Sequence, residues 1–486
     1  MTPQAAAPGA RSPAFLAGAA QADITPPAGA HLAGSGAGLH RPAEFVLDPL
    51  RARATVFEAG GRRVCLLALD VTIITRPWSD RIRRAAVERW GFDPAAVLVC
   101  ATQTHSAPAI GHFMFDPDFP DLPGDIEYLR GGETAYAEFA CARAVEAIGA
   151  AVEALRPARL GAGRAARDGL AFNRRAILRD GRVGMPWFYS SLDKPLGPTD
   201  IVCLEGPVDP EVGVLCARDD ALRPLALLLH YTCHPVNVYA LPGQPEGVRA
   251  VSADWPGAWA EAMRAALGGG ACDGACAPLV LNGCCGNLNP WPAFEPDFKP
   301  DHRRMGRALA DSARAVLQAM RFEPADRVDW RERRVALPLK PPDPDRLDAA
   351  RRMLEAHPAP LWSREQPGLI DPAWFQAASV MSVELMRRRG PALDYEVQAM
   401  RVGDAAIVGL PGEPFVEGQL AIKLASPARL TLVAHAASEY VGYLPTREAF
   451  RRGGHEVDFS YWAKLAPEAL DLAADAAIEL LRELWR

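Results

Sequence analysis

Two histidines, His230 and His234, close the apolar run LALLLHYTCHPVNV, and a Pro/Gly-containing connection leads from them to Asp254 in Ser-Ala-Asp-Trp-Pro-Gly. Imidazole and carboxylate groups at the end of a buried strand are suited to proton transfer and metal ligation. A single such histidine reads equally well as a core side chain satisfied by a carbonyl. Here the arrangement recurs. The strand from Val97 to Cys100 breaks into a loop carrying Gln103 and His105, and PLVLN breaks into GCCGNLNPW with Asn287 and Asn289. AAIVGL ends in PGEPF with Glu413, and LTLVAHAASEYVGYLPT carries His435, Tyr440 and Tyr443. If these strands belong to one sheet system, their exits can converge on one edge. Two His with Glu, Asp and Tyr then make a donor set for a hard-to-borderline dication, zinc best of all. Structural readings stand beside these: Glu413 as a solvated turn residue, Tyr443 as a core aromatic. His435 and His455 read as structural or substrate-facing rather than as ligands.

The elements that must position these residues follow from pattern. An uninterrupted apolar run bounded by turn residues predicts a buried strand before His234. Another runs from Val64 to Leu69 and ends in Asp70. SDRIRRAAVERWG predicts a helix capped by Ser79 and stopped by Gly91, with Ile82, Ala86 and Trp90 on one face. Val145, Ile148, Val152 and Leu155 give Ala135 to Arg156 a helical apolar stripe ended by Pro157. Helices are also expected from Ala258 to Leu267 and from Pro467-Glu468 to Arg486. Residues 322–372, rich in Pro and charge, read as a surface excursion or cap, and residues 1–14 as a disordered tail.

With 486 residues the chain can hold two or three domains or one large α/β unit. A net charge of -6 without basic runs excludes a nucleic-acid partner. No stretch is apolar enough to span a bilayer, and the N-terminus lacks the basic and apolar regions of a secretory signal, so a cytoplasmic protein without membrane attachment is expected. Ten cysteines in a chain of this length are no disulfide framework; Cys65, Cys100, Cys203 and Cys216 sit in apolar runs that predict burial.

ADITPP near the start, ATQTHSAP, FNRR, the HP strand end followed by SADWPG, GCCGNLNP, LPGEPF and EYVGYLPTREAFRRGGHE occur in the order found in neutral/alkaline non-lysosomal ceramidases and their bacterial relatives. The chain resembles the catalytic domain of that family from about Ala19 to Arg486. The resemblance implies a mixed-sheet α/β domain over 15–486, with strands ending in loops that converge on a metal site. No counterpart of the family's C-terminal immunoglobulin-like domain is expected after the last helix. It further implies one Zn2+ held by His234, Glu413 and Tyr443, the second tyrosine of Tyr-x-x-Tyr. The family's remaining ligand is the first His of Thr-His-Thr-His-Ser; that position is Gln103 here, and the second His survives as His105. Either His105 takes the vacancy or a weaker Gln103 amide oxygen does.

A second departure concerns the nucleophile. The family's Gly-Asp-Val-Ser-Pro reads Gly286-Asn287-Leu288-Asn289-Pro290 here, and an amide cannot attack a carbonyl. Asn289 can stabilise an oxyanion or orient water, so hydrolysis requires metal-activated water. Arg174 falls where the family keeps an arginine near substrate, and Asp254 occupies its Ser-Asp position, where it could hold a ligating histidine, ligate, or serve with His105 in proton transfer. The activity implied is hydrolysis of an amide bond in a small or medium-sized N-acylated substrate. The alternatives are a metal-dependent lyase or isomerase of a sugar-like or polyhydroxylated compound, or a non-catalytic ligand-binding relative.

Overall fold

A computed structural model describes residues 15–34, 42–186, 198–239, 249–267, 276–295, 298–364 and 368–486. The predicted tail 1–14 and much of the connection between His234 and Asp254 lie outside these. Three mixed sheets carry the fold. The first runs Val97–Ala101, Arg62–Leu69, Arg51–Ala59, Leu16–Asp23 and Arg156–Pro157. The second runs Leu279–Asn282, Pro224–Tyr231, Glu211–Arg218 and Arg159–Ala166, and the third Val328–Pro338, Ala392–Val402, Ala405–Gly409 and Leu430–Ala434.

Each sheet contains one parallel pair joined through a helix, as parallel strands require a long crossover. Arg62–Leu69 pairs with Val97–Ala101 across the helix Arg76–Trp90. Pro224–Tyr231 pairs with Leu279–Asn282 across Asp254–Ala266. Ala405–Gly409 pairs with Leu430–Ala434 across Val416–Ala425. Leu66, Leu98, Leu215, Leu228, Leu279, Leu281, Ile407 and Leu432 from the three sheets share one buried cluster, so their inner faces pack on each other. Helices cover the outer faces: Ile82 and Ile148 on the first sheet, Trp259 and Leu309 on the second, Leu480 and Leu481 on the third. Burial on both faces explains why these strands read as continuous apolar runs.

The exits of the parallel pairs are tied together. Asn282 Nδ2 donates to the Thr102 carbonyl at 3.0 Å, His435 N–H to the Asn282 carbonyl at 3.0 Å, and Ala101 N–H to the Ala436 carbonyl at 3.2 Å. The three sheets therefore meet where the candidate residues emerge, as ligand sites gather at the carboxyl ends of parallel strands.

Several local expectations need correction. The first helix begins at Arg76, with Thr75 at the cap position and Pro77 in the opening turn, where its missing N–H costs nothing. Ser79 is buried one turn in and donates to the Ser438 carbonyl at 2.5 Å. Gly91 ends the helix at φ 67 as expected. The helix expected from Ala258 starts at Asp254, again with a proline, Pro256, in its first turn. The predicted Ala135–Arg156 helix spans Thr134–Glu153, and the last helix spans Ala469–Leu484. Of residues 322–372, Val328–Pro338 is the edge strand of the third sheet, and the helix Pro344–Ala356 packs on Pro372–Arg389. Cys65, Cys100 and Cys216 are buried thiols, whereas Cys203 is exposed. Among the described residues no helix is long and apolar enough to cross a membrane.

Candidate active site

His230 lies inside its strand, a buried core histidine with Nε2 3.2 Å from the Val433 carbonyl. His234 follows the strand end. Its Nδ1 faces the Leu288 carbonyl at 2.9 Å and its Nε2 faces Glu413 Oε2 at 3.1 Å. A carbonyl only accepts, so Nδ1 carries a proton and Nε2 of the neutral ring is an acceptor facing a second acceptor. Only a proton or a cation between them reconciles the pair. Burial opposes ionisation of Glu413, but the hydrogen bond and charge of His234, with Arg174 beyond, hold its carboxyl well below the usual carboxylate range. Its other oxygen accepts from the Tyr440 hydroxyl at 2.9 Å.

Glu413 and Tyr443 are direct neighbours in a short parallel ladder, Glu413–Pro414 against Tyr443–Leu444. Register thus sets carboxylate and phenol side by side. A second short ladder, Leu288–Asn289 against Phe172–Asn173, brings in Asn289 and Arg174. Arg174 donates from Nη2 to the Tyr443 hydroxyl at 3.1 Å, from Nη1 to Asn289 Oδ1 at 3.5 Å and from Nε to Glu456 Oε1 at 2.8 Å. Burial and the Glu413 carboxylate push the Tyr443 phenol pKa up, while Arg174 counters.

His105 reaches the same place from the first sheet. Its ring packs edge-on against His234, with centroids 5.5 Å apart, and its backbone N–H donates to the Pro235 carbonyl at 3.2 Å. Part of the residue reaches solvent, but its Nδ1 is enclosed without a hydrogen-bond partner among the described residues. Burial and the neighbouring His234 bring its pKa down to about 3. Gln103, at a left-handed φ of 66, has its Oε1 3.7 Å from Cys285 Sγ, which contacts His435 Nδ1 at 3.4 Å.

Asp254 is buried behind the loop. Its oxygens accept from Asn237 Nδ2 at 3.0 Å, Val238 N–H at 2.8 Å and Trp255 N–H at 2.6 Å. Of the roles open to it, these contacts are those of a residue that pins the turn after His234. Arg174, His234, Asn289, Glu413 and Tyr443 are linked by contact, with His105 against His234.

Pattern reading assigned no role to Glu456, whose carboxylate bridges Arg174 and Arg175, or to Tyr440 on Glu413. Two adjacent arginines in an otherwise apolar context signal a buried acid, but His-Glu at 455–456 is one of many such acids.

Among the described residues no three His, Cys, Asp or Glu side chains already form a cation cage. The donor chemistry nonetheless fits one ion. Two donors about 2.1 Å from a tetrahedral zinc lie about 3.4 Å apart, near the 3.1 Å between His234 Nε2 and Glu413 Oε2. The Tyr443 hydroxyl, whose residue pairs with Glu413 in the short ladder, is a further oxygen donor.

The fold of the chain is similar to that in the crystal structure of neutral ceramidase from Pseudomonas aeruginosa, with a TM-score of 0.68 and 18% identity, over 97% of this chain and 74% of that one. The fold is that of the neutral ceramidases. A structure of a ceramidase complexed with C2 matches with a TM-score of 0.67 and 18% identity, over 97% of this chain and 75% of that one. No protein-family model and no curated protein matches the sequence. The mixed α/β architecture expected from the motif order is thus the ceramidase fold, with residues from each of its three sheets at the centre.

Proposed function

We propose that the protein is a zinc-dependent hydrolase that cuts an amide bond in a small or medium-sized N-acylated substrate, with water as the nucleophile. The observation that carries this reading is the pair of facing acceptors, His234 Nε2 and Glu413 Oε2 at 3.1 Å, at the centre of a ceramidase fold. His234, Glu413 and Tyr443 would hold the ion. His105 would complete the set through its enclosed Nδ1, in place of Gln103, whose amide oxygen faces Cys285. Bound there, zinc supplies Lewis acidity, lowering the pKa of water and polarising a carbonyl.

The chain's own residues do the rest. Asn289 accepts from Arg174 on Oδ1, which leaves Nδ2 as a donor for charge developing on the carbonyl oxygen. Arg174 adds a fixed positive charge, held by Glu456 in a water-poor site where electrostatics act strongly. Asp254 holds the His234 loop in position. The test is turnover of an N-acyl amine in heavy-oxygen water. Hydrolysis places one solvent oxygen in the released carboxylate. Conversion of a polyhydroxylated substrate without that label, and no cleavage of N-acyl amines, would point to a lyase or isomerase instead.

A further inference from the structure

A cavity of about 680 Å3 opens beside the candidate centre, with Arg174, Arg175, Arg452, His455, Glu456 and Trp462 in its wall. Arg174 belongs to both: the guanidinium that faces the cavity also touches the Tyr443 hydroxyl and approaches Asn289. A group held by Arg174 in the cavity therefore lies next to the bond to be cut.

The charges of this wall do not balance. Glu456 gives one oxygen to Arg174 Nε at 2.8 Å and the other to Arg175 Nη1 at 2.6 Å. Glu205 takes Arg175 on one side and Arg452 at 3.3 Å on the other. Arg174, Arg175 and Arg452 are 7%, 1% and 30% exposed, while Glu205 and Glu456 are 7% and 1% exposed. Three cations thus share two buried carboxylates of this wall; a third carboxylate, Glu413, also acts on Arg174 but is committed to the ion in the reading above. The remaining charges are solvated. Arg182 and Asp458 at the rim are 68% and 69% exposed and pair with Asp180 and Arg346, and Glu448, 47% exposed, reaches Arg452 from the solvent side. Water screens such rim charges, so they offset little of the surplus. Arg174 itself has five N–H donors, of which these contacts use three. A planar fork with spare donors and one unmatched positive charge suits a carboxylate.

We infer that the substrate carries a carboxylate next to its acylated nitrogen, as an N-acylated amino acid does, received by Arg174 and balanced by Arg452. This rests on the hydrolase reading above and narrows its substrate. The polar wall sets the cavity apart from a slot for a long alkyl chain.

The test compares N-hexanoyl-glycine and N-hexanoyl-leucine with their carboxamides, which differ only in charge. The wild-type protein should favour the free acids about 10- to 100-fold in kcat/KM. Arg452→Gln should bring the ratio of acid to carboxamide kcat/KM towards one, mainly through a higher KM for the acids, and Arg452→Lys should retain the preference. Equal cleavage of acids and carboxamides by the wild type would overturn the inference and leave the hydrolase reading standing. If neither is cut, the hydrolase reading falls and calorimetric binding decides: tighter binding of the free acids supports the carboxylate site, and equal binding overturns it.

Discussion

At the scale of single residues, the centre depends on charges that are buried and matched across the chain. Glu456 shows how. Burial opposes its ionisation, but Arg174 and Arg175 bring its pKa from 4.5 down to about 2. A carboxylate whose pKa is depressed by folding stabilises the fold above its unfolded pKa and loses that contribution as pH falls to its folded one. The stabilisation from Glu456, on the order of 3 kcal/mol, should therefore be complete above about pH 4.5 and gone near pH 2. Thermal melts across that window should show Glu456→Gln less stable than wild type at neutral pH, with the gap closing towards pH 2. A gap that persists to pH 2 would contradict it. His234, Glu413 and Tyr443 could be singled out in the sequence because each ends a strand with a distinctive short motif. Glu456 could not, since its arginine partners lie 282 and 281 positions away and local pattern carries no trace of them.

At the scale of elements, short ladders set the donor geometry. Glu413 meets Tyr443 because Gly412 turns the chain at φ 71 immediately before the ladder. A β-carbon there would collide with the Gly442 carbonyl and lie 2.6 Å from Val441 Cγ2. Gly412→Ala should cost about 2–5 kcal/mol through left-handed strain and overpacking, seen as a lower Tm, and should reduce zinc retention on dialysis. A variant that melts and holds zinc as wild type does would show that this ladder does not position the donors. The apolar strands were legible from their continuous runs, but helix starts were less so. Pro77 and Pro256 look like boundaries in the sequence, yet both sit in opening turns where no N–H is needed. The two-residue ladders at Glu413 and Asn289 are too short for any periodicity to mark them.

At the scale of the whole molecule, three sheets each send one parallel pair and its crossover helix towards a common point. The sequence carries this as a recurrence of apolar strand and polar exit, but not the hydrogen bonds among Ala101, Thr102, Asn282, His435 and Ala436 that draw the exits together. Those depend on tertiary packing alone. In the proposed reading, this convergence would let donors from distant segments serve one ion without any local metal-binding motif. The most direct test is the zinc content of the purified protein and of His234→Ala after dialysis. One zinc per chain in the wild type, falling below about a tenth of that in the variant as a ligand is lost, is the predicted result. No stoichiometric metal in the wild type, or equal zinc in both proteins, would contradict it.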